Sequence, residues 1–188
     1  ELERLYARKG DQIHLVEKHP QALESLVNNM SLPLHVAEGL AKTAVQPKIH
    51  KDDSYKAADF LTPPLIKRGL IIADPSYEDA DDYRKVTDAL KTARKKWNTS
   101  IIALWYPLIA RRKNETTQML TELEDFGKLG TIPCESFKVE LIVRNPDEMK
   151  EEAGPHLYGS GMFIMNPPYK LKEKMEDASR WLEGLLKS

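Results

Sequence analysis

The sequence has little cysteine, no long apolar run and no excess of charge of one sign. Its single cysteine, Cys134, excludes an internal disulfide framework and fits a reducing compartment. No apolar run approaches the roughly 18 residues that a membrane span needs. The formal net charge of −1 gives no overall attraction to nucleic acid, so any basic surface must be local. These absences predict a cytoplasmic protein that does not act within a membrane.

The sequence also lacks the residue pattern of a metal-binding site. One cysteine and five histidines are present, and the histidines lack the spacing of a ligand set, so no zinc site is expected. The 188 residues are 41% hydrophobic and 30% charged, which is ordinary globular composition and enough for one real core. We therefore expect a single α/β domain over residues 1–188 that binds no metal.

The most informative stretch is residues 69–77, Gly-Leu-Ile-Ile-Ala-Asp-Pro-Ser-Tyr. Its apolar run predicts a buried parallel strand with a polar turn at the carboxyl end, where ligands bind in open α/β sheets. Pro75 fixes its own φ and biases Asp74 toward an extended conformation. The Asp74 carboxylate, a nearby backbone carbonyl and the Tyr77 ring then suit a flat heterocycle with an exocyclic amine. An ordinary strand-ending turn is the alternative interpretation.

Hydrophobic periodicity predicts alternating strands and helices through the first two thirds of the chain. The predicted strands cover residues 13–16, 48–51, 69–74 and 100–106. One predicted helix begins at Pro20, and three others cover residues 56–61, 79–97 and about 111–126. In the last third, strands at 137–144 and 161–165 are joined by a polar loop over 145–159, and a helix over 170–186 follows. Two adjacent strands after alternating elements indicate a mixed sheet with an antiparallel pair at one side.

Acidic residues follow three of the predicted strands, namely Glu17, Asp53 and Asp74. Right-handed crossovers align parallel strands, so the three acids would lie on one edge of the sheet. In nucleotide-binding α/β folds an acid at such a position accepts hydrogen bonds from ribose hydroxyls, which suits Glu17. Asp53, with Ser54 beside it, could accept from an adenine amine. Considered singly, each acid is more simply a helix-start or turn residue.

The Asp74–Tyr77 tetrapeptide resembles the Asp-Pro-Pro-Tyr motif of amino-group methyltransferases that use S-adenosylmethionine, with Ser76 replacing the second proline. Three further stretches occur in one order: residues 15–20 (Leu-Val-Glu-Lys-His-Pro), 103–107 (Ala-Leu-Trp-Tyr-Pro) and 159–171 (Gly-Ser-Gly-Met-Phe-Ile-Met-Asn-Pro-Pro-Tyr-Lys-Leu). With residues 68–78 they are similar to the bacterial 23S ribosomal RNA adenine-N6 methyltransferase family, formerly described as taking part in catabolism of external DNA. The resemblance runs along nearly the whole chain.

The resemblance implies a Rossmann-like class I methyltransferase fold, with a mixed sheet whose last strand is antiparallel. It also implies methylation of adenine N6 in 23S ribosomal RNA, before the large subunit is fully assembled, by a monomer that needs no metal. The target base would be held by Asp74 and the Pro75 carbonyl and stacked by Tyr77. The residues implied to bind the cofactor, S-adenosylmethionine, are Glu17, Asp53, Ser54 and Asp74.

The sequence departs from the family pattern in two ways. The family's lysine-bearing N-terminus and glycine-rich cofactor loop are absent, and no glycine-rich strand-to-helix turn occurs elsewhere in the 188 residues. Because the family's first strand lies between the strands of Glu17 and Asp74, we expect a gap in the sheet. The chain is accordingly expected to be the C-terminal two thirds of a longer methyltransferase domain. The second departure, Ser76, is expected to alter turn rigidity rather than chemistry.

A second tetrapeptide, Asn166-Pro-Pro-Tyr169, matches the amino-methyltransferase motif better by its letters. In the resembled fold the last strand is antiparallel, so its carboxyl end faces away from the cofactor edge. We therefore predict that this tetrapeptide ends a strand and has a structural role.

Two basic clusters, at residues 91–96 and 111–113, are candidates for phosphate contacts, although charge runs are usually solvated. Trp105 and Tyr106 could stack a base, but core packing explains them more simply. Two alternatives to the ribosomal RNA enzyme stay open. One is a non-catalytic nucleic-acid-binding relative, whose Ser76 and missing loop would mark lost activity. The other is a DNA adenine-N6 methyltransferase linked to the use of external DNA.

Overall fold

The structure is a computed structural model that describes residues 4, 6–31, 45–145 and 157–186. The chain divides into two compact units, residues 1–60 and residues 61–188. The expectation of one methyltransferase domain over the whole chain stays a prediction. Among the described residues, no helix is both long enough and apolar enough to cross a membrane.

The first unit contains a two-stranded parallel sheet and the helices that follow its strands. Strand β1 (His14–Val16) pairs with β2 (Lys48–His50), and Leu15 lies opposite Ile49. Helix α1 (Pro20–Ser31) follows β1, and a 3-10 turn (Ser54–Lys56) leads from β2 into the short helix α2 (Ala57–Phe60). The strand-then-helix order and the parallel pairing predicted from the sequence are confirmed.

The second unit contains a four-stranded mixed sheet. Its strands are β3 (Leu70–Ala73), β4 (Ile101–Ile109), β5 (Ser136–Ile142) and β6 (Leu157–Met165), in the spatial order β3-β4-β6-β5. β3 is parallel to β4, whereas β6 is antiparallel to both of its neighbours. The predicted mixed sheet with an antiparallel last strand is confirmed, whereas the expected gap in the sheet stays a prediction.

Three helices complete the second unit: α3 (Asp81–Lys96), α4 (Lys113–Leu129) and α5 (Leu171–Leu186). Acids begin α3 and basic residues end it, which complements the helix dipole. α3 packs against α4, α4 contacts β4 and β6, and α5 packs on β5. The most deeply buried large side chains come from β4, β6 and α4, and they are Ile102, Leu104, Tyr106, Leu123 and Met165.

The strand before the Asp-Pro-Ser-Tyr turn is parallel, as predicted, but it is not buried within its unit. β3 lies at an edge of the four-stranded sheet. Leu70 and Ile72 are consequently 53% and 52% exposed. An apolar run indicates that a strand is suited to burial on both faces. It does not indicate which elements lie beside the strand, so it does not determine how much of the strand is exposed.

Pro107 does not end β4, which corrects the prediction of a strand that stops at Tyr106. The strand continues to Ile109, with Pro107 opposite Ser160 of β6. β3 pairs with β4 only as far as Leu104, so β4 has a strand neighbour on one side alone at Pro107. A residue without an N–H is tolerated where one side of a strand is unpaired.

β6 is longer than predicted, because it begins at Leu157 inside the expected polar loop. Gly159 ended the predicted loop and Gly161 began the predicted strand, and both lie where neighbouring atoms come very close. A Cβ on Gly159 would clash with the Leu141 carbonyl, and a Cβ on Gly161 would clash with the Tyr106 ring. Glycine in a strand often marks such a close approach. Residues 146–156 of the predicted loop lie outside the described residues.

Candidate active site

Asp74 lies immediately after β3, at the carboxyl end of the two parallel strands. The last pair of the β3–β4 ladder joins Ala73 to Leu104, and the chain then turns at Asp74-Pro75. The Asp74 side chain is exposed. Within the described part of the chain, neither its carboxylate nor the Pro75 carbonyl accepts a hydrogen bond. Two free acceptors therefore lie at the carboxyl end of β3, and their role stays a prediction.

Tyr77 is buried beneath this turn rather than presented as a surface. Its side chain is 4% exposed, and its hydroxyl donates a 2.8 Å hydrogen bond to the Trp105 carbonyl. The ring centroid lies 4.7 Å from that of Tyr83 and 6.1 Å from that of Trp105, with the planes tilted in both pairs. Its φ of +53° is in the left-handed region, which is unfavourable for a bulky residue.

This geometry corrects the role, but not the location, expected for Tyr77. A base cannot stack on a ring whose faces are already covered by protein, so this conformation does not provide the expected stacking surface. Strained backbone concentrates at functional sites, where the surrounding structure holds it in place. The contacts to Trp105 and Tyr83 hold the turn against β4. Tyr83 lies on α3, and sequence reasoning did not identify it as a partner of this turn.

Glu17 extends the β1–β2 ladder and then folds back on its own chain. Its backbone N–H donates to the His50 carbonyl at 3.0 Å, which places it at the carboxyl end of β1. One carboxylate oxygen, Oε1, accepts a 2.7 Å hydrogen bond from the His19 N–H. The side chain is half-buried. The second oxygen has no partner among the described residues, so Glu17 keeps an acceptor for a ligand.

Asp53 caps the 3-10 turn that follows β2. Oδ1 accepts from the Tyr55 N–H at 3.0 Å, and Oδ2 accepts from Lys18 Nζ at 3.3 Å. Burial opposes ionisation of this carboxyl, but the hydrogen bonds from Tyr55 and Lys18 outweigh it and lower its pKa. Asp53 is therefore a turn residue that caps the 3-10 turn, as the simpler interpretation of the sequence held. The adenine contact expected of Asp53 and of the exposed Ser54 stays a prediction.

The structure brings two of the three strand-end acids together. Glu17 and Asp53 follow adjacent parallel strands, and Lys18 pairs with Asp53 across them. Asp74 belongs to the other unit and follows a parallel strand there. Each unit thus carries acids at the carboxyl end of parallel strands, which is the position that ligands occupy in open α/β folds.

The hydrogen-bond acceptors at the strand ends of the first unit fit the adenosine half of a nucleoside cofactor. Glu17 offers a free carboxylate oxygen for ribose hydroxyls, and Asp53 is a negatively charged acceptor on the neighbouring strand end. Among the described residues, none is assigned to the methionine half. No group of three or more His, Cys, Asp or Glu side chains that could hold a metal ion occurs among the described residues.

The rival tetrapeptide lies at the opposite edge of the sheet. β6 is antiparallel to β4, and its last residue, Met165, pairs with Ile102 near the amino end of β4. The Asn166 side-chain amide donates to the Thr99 and Ser100 carbonyls at 3.2 and 3.1 Å. Its φ is +57°, a conformation that asparagine adopts more readily than most residues. The predicted strand end is confirmed, and the amide bonds that join β6 to the start of β4 support a structural role.

Replacing Asn166 should therefore affect stability. Asn166→Gly removes the amide bonds but suits the positive φ, and we expect it to cost about 1–3 kcal/mol in the free energy of unfolding. Asn166→Ala also places a Cβ in the left-handed region, which adds roughly 1–2 kcal/mol. Urea denaturation of both variants measures the difference. An alanine variant as stable as the glycine variant would contradict the conformational argument.

One cavity in the second unit is not part of this site. It has a volume of about 540 Å³ and is lined by residues of α4, β5, β6 and α5, which include Lys113, Lys138, Glu140 and Lys172. None of the predicted site residues lines it. Asp74, by contrast, lies exposed at the end of a strand.

The strands and helices define an α/β protein with a mixed sheet and acids at the ends of its parallel strands. A family model described as ribosomal RNA large subunit methyltransferase D, RlmJ, matches residues 1–188, and the chain belongs to this family.

Similar proteins agree with the family assignment. The chain is 31% identical over 183 residues to ribosomal RNA large subunit methyltransferase J of Escherichia coli (strain K12), covering 97% of this chain and 57% of the relative. It is 31% identical to the Haemophilus influenzae protein of the same name, covering 95% of this chain and 56% of that relative. The chain thus spans little more than half the length of either one.

A solved structure supports the fold. The crystal structure of a Legionella pneumophila protein superimposes with a TM-score of 0.79 at 26% identity. The match covers 98% of this chain and 60% of that one.

Proposed function

We propose that the chain is part of an S-adenosylmethionine-dependent methyltransferase with a Rossmann-like class I fold that methylates adenine N6 in 23S ribosomal RNA. The observation that carries the proposal is the pair of free acceptors, Asp74 and the Pro75 carbonyl, at the end of β3. The family match and the names of both curated relatives support ribosomal RNA as substrate. Such an enzyme would act in the bacterial cytoplasm as a monomer.

An adenine amine matches these two acceptors chemically. N6 carries two hydrogens, and its lone pair is delocalised into the ring. The Asp74 carboxylate and the Pro75 carbonyl would accept one hydrogen each from an adenine flipped out of its surroundings. Accepting both hydrogens concentrates the lone pair on nitrogen and fixes its direction, which is catalysis by positioning and electrostatics.

When bound, S-adenosylmethionine supplies the methyl group from its sulfonium, so that the carbon–sulfur bond breaks as the carbon–nitrogen bond forms. The methylated amine then loses one proton to water. Asp74 consequently needs to orient the amine more than to deprotonate it. Because the reaction needs no bound metal, we propose that the enzyme works without one.

We propose that Tyr77 positions Asp74 and Pro75. Its hydroxyl is hydrogen-bonded to the Trp105 carbonyl, and its ring is packed against Tyr83. These contacts anchor the end of the turn to β4. A rigid turn keeps the two acceptors in a fixed relation, although Ser76 replaces the second proline of the motif.

The function is tested by transfer of labelled methyl groups from S-adenosylmethionine, catalysed by the complete gene product. The substrates are naked 23S ribosomal RNA, assembled large subunits and DNA. We expect N6-methyladenine in naked ribosomal RNA and little transfer to the other two substrates. Transfer to DNA alone would favour the DNA enzyme, whereas no transfer to any of the three would favour the non-catalytic relative.

Glu17 is expected to bind the cofactor ribose. A charge-assisted hydrogen bond contributes about 1.5–3 kcal/mol, so Glu17→Ala should weaken cofactor binding by roughly 10- to 150-fold. Glu17→Gln is the matched control, because its carbonyl can still accept from the His19 N–H while the charge is lost. It should lie between wild type and Glu17→Ala. Isothermal titration calorimetry that shows unchanged affinity for Glu17→Ala would remove this residue from the site.

A further inference from the structure

The two basic clusters of the sequence occupy opposite edges of the sheet. β3 and β4 are parallel, so α3 runs from the carboxyl end of β3 back to the amino end of β4. The cluster at residues 91–96, on the second half of α3, therefore lies at the edge away from Asp74. The cluster at residues 111–113 follows β4, so it lies at the same edge as Asp74.

Three residues of the cluster on α3 contact other parts of the second unit, although Lys95 and Lys96 are exposed. Lys91 Nζ pairs with Glu122 at 2.7 Å. Arg94 is buried and donates to the Ile132 carbonyl, and Lys95 Nζ lies 5.8 Å from the centroid of the Phe126 ring. These contacts join α3 to α4 and to the segment that follows it. This cluster accordingly has a packing role.

The basic residues in the turn after β4 make fewer contacts with the rest of the protein than those of the cluster on α3. Of its three basic residues, Arg112 pairs with Glu115 at 2.9 Å, and this hydrogen bond lowers the pKa of Glu115. The side chains of Arg111 and Lys113 are exposed and have no hydrogen-bond or ion-pair partner in the part of the chain that the structure describes. Two uncompensated positive charges thus remain at the edge that carries Asp74.

β4 continues past the end of β3 as far as the basic turn. β3 ends opposite Leu104, whereas β4 continues to Ile109. At about 3.3 Å per residue, β4 extends roughly 16 Å beyond the level of Ala73. The basic turn therefore stands beyond the free acceptors, where the backbone of a strand would pass if one of its bases were bound at Asp74.

We propose that Arg111 and Lys113 bind phosphates of the single-stranded RNA that flanks the target adenine. The inference rests on the proposed function, and it assigns part of the substrate surface. The chain has a net charge of −1, so its attraction to a polyanion must come from a local surface. Phosphate contacts of this kind hold the strand in position and carry no sequence information.

The test compares two double variants of the complete gene product that each remove two positive charges. One is Arg111→Gln with Lys113→Gln, and the matched control is Lys95→Gln with Lys96→Gln. Binding of a short fluorescent single-stranded RNA is followed by anisotropy over a range of salt concentrations. Methyl transfer to naked 23S ribosomal RNA is measured in parallel.

The Arg111 and Lys113 variant should bind the RNA more weakly and with less dependence on salt. On a single strand each phosphate contact contributes about 0.7 to the slope of log K against log salt, so two lost contacts flatten the slope by about 1.4. At roughly 0.1 M salt this corresponds to about 25-fold weaker binding. The KM for RNA should rise accordingly, whereas kcat and the control variant should change little.

The outcomes separate the inference from the proposed function. Equal binding by the variant and the wild type, or equal weakening in both double variants, would overturn the assignment of this surface while wild-type methyl transfer stands. Wild-type protein that binds the RNA through this turn but transfers no methyl group would overturn the proposed function and keep the surface.

Discussion

Asp74→Ala should slow methyl transfer by about 10²–10³-fold, the typical cost of removing one positioned electrostatic contact. Asp74 follows β3 with its carboxylate exposed and accepts no hydrogen bond from the described residues. Its loss leaves the Pro75 carbonyl as the only acceptor for the amine. Affinity for the cofactor should change little, because the proposal assigns the carboxylate mainly to the substrate amine.

Single-turnover methylation separates this effect from product release. Asp74→Asn is an informative companion, because its side chain keeps one acceptor oxygen and should lose less activity than Asp74→Ala. Ser76→Pro should remain active, since it restores the proline of the family motif and Ser76 is exposed with no hydrogen-bonded partner among the described residues.

An inactive but normally folded Asn166→Ala, together with an active Asp74→Ala, would move the active site to the other end of the sheet.

Tyr77→Phe should lower kcat while leaving the KM for RNA nearly unchanged. The substitution keeps the ring and removes only the hydroxyl that donates to the Trp105 carbonyl. We expect a loss of about 0.5–1.5 kcal/mol in stability. A turn that is no longer anchored can misplace the Asp74 carboxylate, and displacements of about 1 Å can cost up to about 10²-fold in rate.

Tyr77→Ala distinguishes packing from positioning. It removes a 4% exposed ring from between Tyr83 and Trp105, so it should destabilise the second unit by about 3–5 kcal/mol. Thermal unfolding of both variants gives the stability, and the rates are compared at a temperature where each is folded. If Tyr77 stacked the base, Tyr77→Phe would keep full kcat, because phenylalanine presents the same ring. That result would restore the stacking role.

The sequence predicted the strand ends well because they depend on local signals. An apolar run followed by Asp-Pro places Asp74 after a strand, and the Glu17 and Asp53 strand ends are marked in the same way. The alternation of strands and helices implied parallel pairing, and two late strands in succession implied the antiparallel β6. These patterns report backbone periodicity, which neighbouring residues determine.

Where the sequence failed, the deciding contacts come from distant residues. Pro107 lies inside β4 because β3 stops at Leu104, and Gly159 belongs to a strand because it packs closely against β5. In each case a residue that usually marks a turn is accommodated by its neighbour in the sheet. Composition and spacing contain no information about that neighbour.

By itself, the sequence determined that Asp74 and Pro75 form a polar turn after a parallel strand, and its motifs determined the family. Only the tertiary structure decided that Tyr77 is buried against Trp105, that Asn166 holds β6 to the start of β4, and that Arg111 and Lys113 share the edge of Asp74. The physical reason is that residue order fixes local conformation. The side that a ring or a charge faces depends on strand direction and on packing between segments far apart in the chain.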